Sequence, residues 1–256
     1  MTRPFFQAAE TPRRPVPSRK IAVIGSGISG LSAAWLLSKS HEVTLFEKEH
    51  RLGGYAHTVD VPLAEGTIPV DTGFIVYNAP NYPNLVKLFA HLGVPTAESN
   101  MSFAASLENG AFEYSGSGMK GLFADRRNVL RPRMWRMIRD ILKLYRAGPR
   151  LAGDLSLAEQ PLGVFLEAHG YSRSFQRDHL LPMCAAIWSL PGEQVEQYPA
   201  LAFLRFFENH GLMRIKDRPM WRKVAGGSRT YVEALAGDMQ ADVRLGARIE
   251  RVTRTG

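Results

Sequence analysis

The N-terminal part of the chain alternates apolar runs with polar turns in the order expected of a βαβ unit. Residues 20–25 (KIAVIG) form a continuous apolar run that ends in glycine, which predicts a strand buried on both faces of a parallel sheet. Apolar positions at helical spacing follow over residues 28–38, and a second strand is predicted over residues 42–46. Together these elements predict the first half of a right-handed βαβ unit.

The middle of the chain is predicted to be mainly helical, with one hairpin before it. Asn109-Gly110 lies between two strand-like segments, 101–107 and 111–114, and this dipeptide favours a two-residue turn. Helices are then predicted over residues 133–147, 162–169, 174–181 and 200–210, with separating prolines at positions 182, 191 and 199. A last helix, 230–236, leads into residues 243–252, so the chain is expected to end inside a sheet element.

The turn between the first strand and the first helix carries a GxGxxG motif, Gly25-Ser26-Gly27-Ile28-Ser29-Gly30. Gly25 permits the tight turn, Gly27 lets the backbone approach a pyrophosphate, and Gly30 lets the helix pack closely on the strand. The free N–H groups of the helix N-terminus would face the phosphates, and Ser29 can add a hydroxyl donor. In this context the motif predicts a dinucleotide site that also includes Ser26.

Glu47 ends the second predicted strand, 22 residues after Gly25. A carboxylate at this point accepts hydrogen bonds from the adenosine ribose hydroxyls, and its charge would repel a 2′-phosphate. The sequence therefore disfavours an NADP site.

Cysteine and hydropathy narrow the class of protein. The single cysteine, Cys184, excludes an internal disulfide, and the sequence has no CxxC pair or Cys/His cluster that predicts a metal site. A reducing, cytoplasmic location is expected. Residues 1–18 are polar and rich in Pro and Arg, which predicts a disordered tail, and no apolar run reaches the length of about 18 residues that spans a bilayer.

The net charge of +8 is concentrated in one segment. Between Arg126 and Arg150 there are nine Lys or Arg residues and a single acid, Asp140. Within it, the predicted helix Arg133–Arg150 has apolar residues on one face and basic residues on another. Either this helix packs its apolar face inside a domain, or it lies on an anionic membrane surface, at the inner face of the membrane. Nucleic acid is not an expected partner, because no stacking platform accompanies the charge.

The segment after Glu47, EKEHRLGG, resembles the ExxxRxGG segment of glutathione-reductase-like FAD proteins, especially the amine oxidase and phytoene desaturase superfamily. The resemblance extends to residues 70–73 (VDTG), 226–228 (GGS) and 248–252 (RIERV), and residues 181–189 are similar to a bacterial branch of NAD/FAD-binding oxidoreductases. It implies FAD as cofactor, with cofactor-binding residues Gly25, Ser26, Gly27, Ser29, Gly30, Glu47, Arg51, Gly53, Gly54, Thr58, Gly73 and Val252.

The same resemblance implies an architecture. The fold class is α/β, with a Rossmann-like FAD-binding domain of the glutathione-reductase type formed by residues 19–78 and 222–256. A mainly helical substrate domain, 79–221, is inserted into it, and the C-terminal part of the fold is expected to be absent. Tyr55 stands where many amine oxidases have an arginine after the glycine pair, so that phosphate contact is not carried over.

The implied function is an FAD-dependent oxidoreductase that removes a hydride from a C–N or C–C bond of an amine or a lipid-like substrate. Two alternatives stay open: an NAD-dependent dehydrogenase, and a non-enzymatic fragment that retains a nucleotide-binding or membrane-docking fold. No catalytic residue is predicted. His57 and Tyr77 are expected to be structural, Cys184 a buried and inert thiol, and Trp188 part of a core.

Overall fold

The computed structural model describes residues 17–254. The predicted tail lies outside the described residues up to position 16. The strands are β1 (Lys20–Ile24), β2 (Glu42–Phe46), β3 (Thr58–Leu63), β4 (Gly66–Asp71), β5 (Tyr77–Asn78), β6 (Thr96–Ser99), β7 (Ala104–Leu107), β8 (Phe112–Ser115), β9 (Trp221–Val224) and β10 (Ala241–Arg244). The helices are α1 (Ile28–Leu37), α2 (Pro83–Leu92), α3 (Gly118–Leu122), α4 (Pro132–Leu151), α5 (Leu162–Ala168), α6 (Arg173–Phe175), α7 (Leu181–Trp188), α8 (Gly192–Glu196), α9 (Ala200–Asn209) and α10 (Arg229–Asp238).

The chain forms two compact units. Among the described residues, the first contains 17–77, 82–98 and 222–254, and the second contains 78–81 and 99–221. Residues 82–98, which the sequence analysis assigned to the inserted domain, belong to the first unit. The reason is Phe89 of α2, which is buried with its ring 5.2 Å from that of Tyr231 and 5.4 Å from that of Tyr77.

A parallel sheet of order β1-β2-β10 organises the first unit. Val43 and Leu45 of β2 are buried in one core with Leu31 of α1 and Leu235 of α10. The opposite face of β1 is open, and Ile24 on it is exposed. The prediction that β1 is buried on both faces is therefore wrong for the described residues, because α1 and α10 cover one face only.

The last predicted strand is much shorter than expected. It ends at Arg244, and Val252 lies exposed outside any strand. Gly246 adopts a left-handed conformation with φ +65°, and its amide donates to the carbonyl of Glu49 at 3.1 Å. Since this turn takes the backbone out of the strand direction, pairing stops there.

The hairpin of the second unit is confirmed, but its turn is longer than predicted. Strands β7 and β8 are antiparallel, with Leu107 opposite Phe112, so residues 108–111 form the connection. Glu108, Asn109 and Gly110 all have positive φ. Three consecutive residues, 108–110, thus adopt the left-handed conformation that Asn and Gly tolerate, whereas the prediction was a two-residue turn.

The helical part of the second unit contains a proline that does not end its helix. Helical structure continues from α6 through a π-helical segment, Gln176–Leu180, into α7, although Pro182 was predicted as a separator. Pro182 has no N–H to offer to the carbonyl of Asp178 four residues earlier. That carbonyl accepts a hydrogen bond from the Tyr114 hydroxyl at 2.8 Å, so a tertiary partner satisfies it.

The basic helix α4 packs its apolar face inside the second unit. Met134, Met137 and Leu144 on its apolar face are buried in the second unit, while Arg136 and Arg146 are exposed. The apolar face is thus occupied by packing within the second unit, and contact with a membrane surface stays a prediction.

Candidate functional site

The glycine loop between β1 and α1 is built as its spacing predicts. Gly25 has φ +90°, a conformation that side chains strongly disfavour. A Cβ added at Gly30 would lie 1.9 Å from the carbonyl oxygen of Gly25, so the first turn of α1 packs directly on the loop. These two glycines therefore set the close approach of helix and strand.

The N-terminus of α1 is open to a ligand at Gly27. This residue is the N-cap, and no side chain caps the helix. Apart from the two adjacent residues, no atom of the described part of the chain lies within 4 Å of the position that a Cβ would take at Gly27. The first amides of a helix have no partner within the helix and carry its positive dipole end, so this position suits an anionic group such as a pyrophosphate.

The structure brings the second glycine segment against the first. Gly27 and Gly53 form an isolated parallel bridge, and the amide of Gly53 donates to the carbonyl of Ser26 at 3.0 Å. A Cβ at Gly54 would lie 3.0 Å from the Cα of Gly27, and Gly54 has φ +57°. Two motifs predicted separately from the sequence thus form one continuous glycine-lined surface.

Glu47 is anchored to the glycine loop. Its Oε2 accepts hydrogen bonds from the amide of Ser26 at 2.7 Å and from the Ser26 hydroxyl, and its Oε1 accepts from the amide of Glu49 at 2.9 Å. Burial alone would raise the pKa of the Glu47 carboxyl, but the hydrogen bonds outweigh it and hold the pKa below its ordinary value of 4.5. Glu47 is therefore an oriented, ionised carboxylate at neutral pH.

Arg51 hydrogen-bonds to the backbone of the glycine pair Gly53-Gly54. Its Nη1 donates to the carbonyl of Gly54 at 2.9 Å, and the side chain is otherwise exposed. This contact fixes the backbone of the second glycine segment. Tyr55, which stands in the position of the superfamily's arginine, is also exposed.

Asp71 is a positioning residue that the sequence analysis did not include among the site residues. Its Oδ1 accepts hydrogen bonds from the amide of Ser228 at 2.8 Å, from the Ser228 hydroxyl at 2.7 Å and from the Thr58 hydroxyl at 2.6 Å. The Thr58 oxygen in turn accepts from the amide of Arg229 at 3.0 Å. Together they cap α10. No local signal points to this contact, because 157 residues separate Asp71 from Ser228.

Gly73 and Gly227 are required by close backbone approaches. A Cβ at Gly73 would lie 2.1 Å from the carbonyl oxygen of Tyr55, and one at Gly227 would lie 2.5 Å from Cγ2 of Thr58. Ser29 lies exposed on the first turn of α1. Val252 is exposed as well, and the structure does not bring it into this cluster by any hydrogen bond among the described residues.

The second unit contains a buried polar cluster that the sequence analysis missed. Arg133 donates to both carboxylate oxygens of Asp178 at 2.6 and 2.8 Å, and the Tyr114 hydroxyl lies 3.0 Å from Nδ1 of His179. Burial lowers the pKa of His179 to about 4, so its ring is neutral at pH 7. Burial also raises the pKa of the Cys184 thiol to about 12, which agrees with its expected inertness.

Comparison with known proteins finds a matching domain profile and a similar flavoprotein sequence. The profile of the NAD(P)-binding Rossmann-like domain matches residues 23–92. Over 245 residues, 92% of this chain, the sequence is 27% identical to AofH of Mycobacterium tuberculosis, which is named as a flavin-containing monoamine oxidase, and it covers 52% of that protein. The chain is therefore similar to members of the FAD-dependent amine oxidase and phytoene desaturase superfamily.

Two further proteins are similar to this chain, one over a short stretch of sequence and one in its fold. A 36-residue stretch is 58% identical to 4,4′-diapophytoene desaturase of Staphylococcus aureus, covering 14% of this chain and 7% of that enzyme. The solved structure of a putrescine oxidase bound to putrescine superimposes with a TM-score of 0.61 at 18% identity, over 90% of this chain and 51% of that one. The α/β Rossmann-like fold with a helical insert is therefore confirmed. The chain spans about half the length of AofH and of the putrescine oxidase.

Proposed function

We propose that this chain binds FAD and forms the nucleotide-holding part of a flavin-dependent oxidoreductase. The observation that carries the proposal is the junction of the two glycine segments, where Gly27 and Gly53 meet beside the carboxylate of Glu47. A glycine turn that serves only the packing of a β-strand on a helix needs neither an open N-cap nor a second glycine pair against it.

The residues present suit the cofactor. The amides at the start of α1 are free of side-chain caps, and the space beside Gly27 is open, so an anionic diphosphate can lie there. The Oε1 oxygen of Glu47 accepts one hydrogen bond, from the amide of Glu49, and keeps a lone pair that can accept from a ribose hydroxyl. Both lone pairs of Oε2 are used by the amide and the hydroxyl of Ser26. The negative charge of Glu47 selects against a 2′-phosphate, as in an NADP site.

The reaction proposed is removal of a hydride from a C–N or C–C bond of an amine or a lipid-like substrate. Bound FAD would supply the redox chemistry by accepting that hydride, while the protein orients the substrate and excludes water. The names of the relatives, which include a monoamine oxidase, a putrescine oxidase and a phytoene-type desaturase, support this range of substrates.

Titration of the purified chain with FAD, NAD⁺ and NADP⁺ in separate experiments tests the proposal. Absorbance and flavin fluorescence report FAD binding, and isothermal calorimetry reports binding of all three. We expect binding of FAD in preference to both nicotinamide cofactors. Preference for NAD⁺ would favour the dehydrogenase alternative, and a folded chain that binds none of them would favour a module without cofactor.

Two matched variants test the role of Glu47. Glu47→Gln removes the charge and should weaken FAD binding by about tenfold, the value of one charge-assisted hydrogen bond. Glu49→Gln changes a neighbouring exposed carboxylate and should leave the affinity unchanged. Circular dichroism checks that both variants are folded. Equal affinity of Glu47→Gln and Glu49→Gln would contradict the assignment of Glu47 to the ribose.

A further inference from the structure

An apolar tip lies at the N-terminal end of α4, in the second unit. We use "the tip" for residues 126–136. Leu130 is 86% exposed there, Trp135 is 48% exposed and Val129 is 47% exposed. Single exposed leucines are common on protein surfaces, but three large apolar side chains within seven positions form a patch that needs an explanation.

The tip is held rigidly with these side chains pointing outward. Asn128 is fully buried, and its Nδ2 donates to the carbonyl of Glu113 at 2.8 Å. The Trp135 indole N–H donates to the carbonyl of Val129 at 2.8 Å, so the polar edge of its ring is satisfied within the tip. Since Asn128 anchors the turn inward, the adjacent Val129 and Leu130 are presented to solvent.

Positive charge surrounds the tip. Arg126, Arg127 and Arg136 are exposed within it, and the exposed row continues along α4 through Arg139, Lys143, Arg146 and Arg150. Neighbouring acids offset only two of the seven cations in this row, Arg127 and Arg139. Asp125 is paired with Arg127 at 2.9 Å, and Asp140 is buried and paired with Arg139 at 2.9 Å.

Exposed apolar side chains together with positive charge favour an anionic lipid surface as the partner. Exposed aliphatic and tryptophan side chains with exposed arginines beside them in the chain suit a lipid interface. There the apolar groups enter the acyl boundary and the cations contact anionic headgroups. An acidic protein or a nucleic acid would satisfy the arginines but would leave Leu130 without an apolar environment. Among the described residues no helix is long and apolar enough to cross a membrane.

We propose that the tip docks this protein on an anionic lipid surface, with Leu130 and Trp135 entering the interface. This differs from insertion of the apolar face of α4, which is buried in the core. The proposal is independent of the cofactor assignment, because neither the tip nor its charge involves the glycine segments.

Vesicle co-sedimentation tests the docking. The purified chain is mixed with vesicles of phosphatidylcholine alone and with vesicles in which a third of the lipid is phosphatidylglycerol. We expect binding to the anionic vesicles only, weakened by added salt as screening shortens the reach of the arginines. Absence of binding to anionic vesicles, or equal binding to both kinds, would overturn the proposal.

Two leucine variants separate the tip from general electrostatic attraction. Leu130→Ser should lower the partition onto anionic vesicles by about tenfold, because it removes one buried aliphatic side chain from the interface. Leu155→Ser is the matched control. Leu155 is also exposed, but it follows the other end of α4, a helix of 20 residues and hence about 30 Å long.

Three results would contradict the tip as the docking element. If Leu130→Ser binds the anionic vesicles as well as the wild type does, the chain is attracted to them by charge alone. Equal losses for Leu130→Ser and Leu155→Ser would mean that the chain contacts lipid along the whole of α4. Tight binding of duplex DNA without binding of vesicles would assign the basic row to a polyanion. Circular dichroism of both variants confirms that these highly exposed substitutions leave the fold intact.

Discussion

A methyl group added to the glycine loop should have different effects at Gly30 and at Gly27. In Gly30→Ala the new Cβ would lie 1.9 Å from the carbonyl oxygen of Gly25, whereas ordinary contacts begin at 3.4 Å. Both groups belong to the backbone framework, so α1 must move away from β1 by more than 1 Å. We expect a loss of about 3 kcal/mol in the free energy of unfolding, at the upper end of over-packing costs.

Gly27→Ala should leave the fold nearly intact and impair the ligand site. Gly27 has φ −61°, which alanine adopts easily, and no atom lies within 4 Å of its Cβ position. The cost of alanine at an N-cap is about 1 kcal/mol. The methyl group would nevertheless occupy the space beside the α1 amides. Loss of one charge-assisted hydrogen bond to the diphosphate, about 1.5–3 kcal/mol, raises the Kd for FAD by about tenfold to a hundredfold.

Urea unfolding followed by circular dichroism, together with FAD titration by fluorescence, measures both effects. Gly237→Ala in α10 is the control, because it adds the same methyl group where no atom lies within 4 Å. It should stabilise the fold by about 0.4–1 kcal/mol and leave the Kd unchanged. The reasoning is refuted if Gly27→Ala binds FAD as tightly as Gly237→Ala, or if Gly30→Ala is as stable as the wild type.

Two further predictions concern stability. Asp71→Ala leaves the buried amide of Ser228 without an acceptor and should lower the free energy of unfolding by about 2 kcal/mol in urea, whereas Asp60→Ala removes only an exposed ion pair and should change it little; equal effects would contradict the capping role. Because burial lowers the pKa of His179 from 6.5 to about 4, the unfolded chain binds a proton between these values that the folded protein does not. Stability should therefore fall by about 2 kcal/mol from pH 7 to pH 5 through this group, and a His179→Asn variant whose urea midpoint keeps the same pH dependence would argue against it.

Short-range patterns in the sequence were sufficient to predict the elements that surround the glycine loop. Apolar periodicity identified β1, α1 and β2, and the glycine spacing identified the turn between β1 and α1, because a strand, a tight turn and a helix each depend on neighbours within a few positions. The same local chemistry identified α4, with its basic face, and the hairpin around Asn109 and Gly110.

Tertiary structure decided which of these elements meet. The bridge between Gly27 and Gly53 and the binding of Glu47 to Ser26 unite two motifs that are separate in the sequence. The capping of α10 by Asp71 spans 157 residues. Such contacts depend on how helices and sheets pack, and a hydrogen-bonding side chain carries no sequence mark of its distant partner.

The same distinction explains the departures from prediction. Residues 82–98 belong to the first unit because Phe89 is buried in the core of that unit. Helical structure continues past Pro182 because the Tyr114 hydroxyl donates to the carbonyl of Asp178, which the proline leaves without a helical partner. The sequence by itself determined β1, α1, β2 and the glycine turn, together with the basic character of α4. Only the folded structure decided that α4 buries its apolar face and leaves Leu130 exposed, because burial depends on the surfaces available to pack against it.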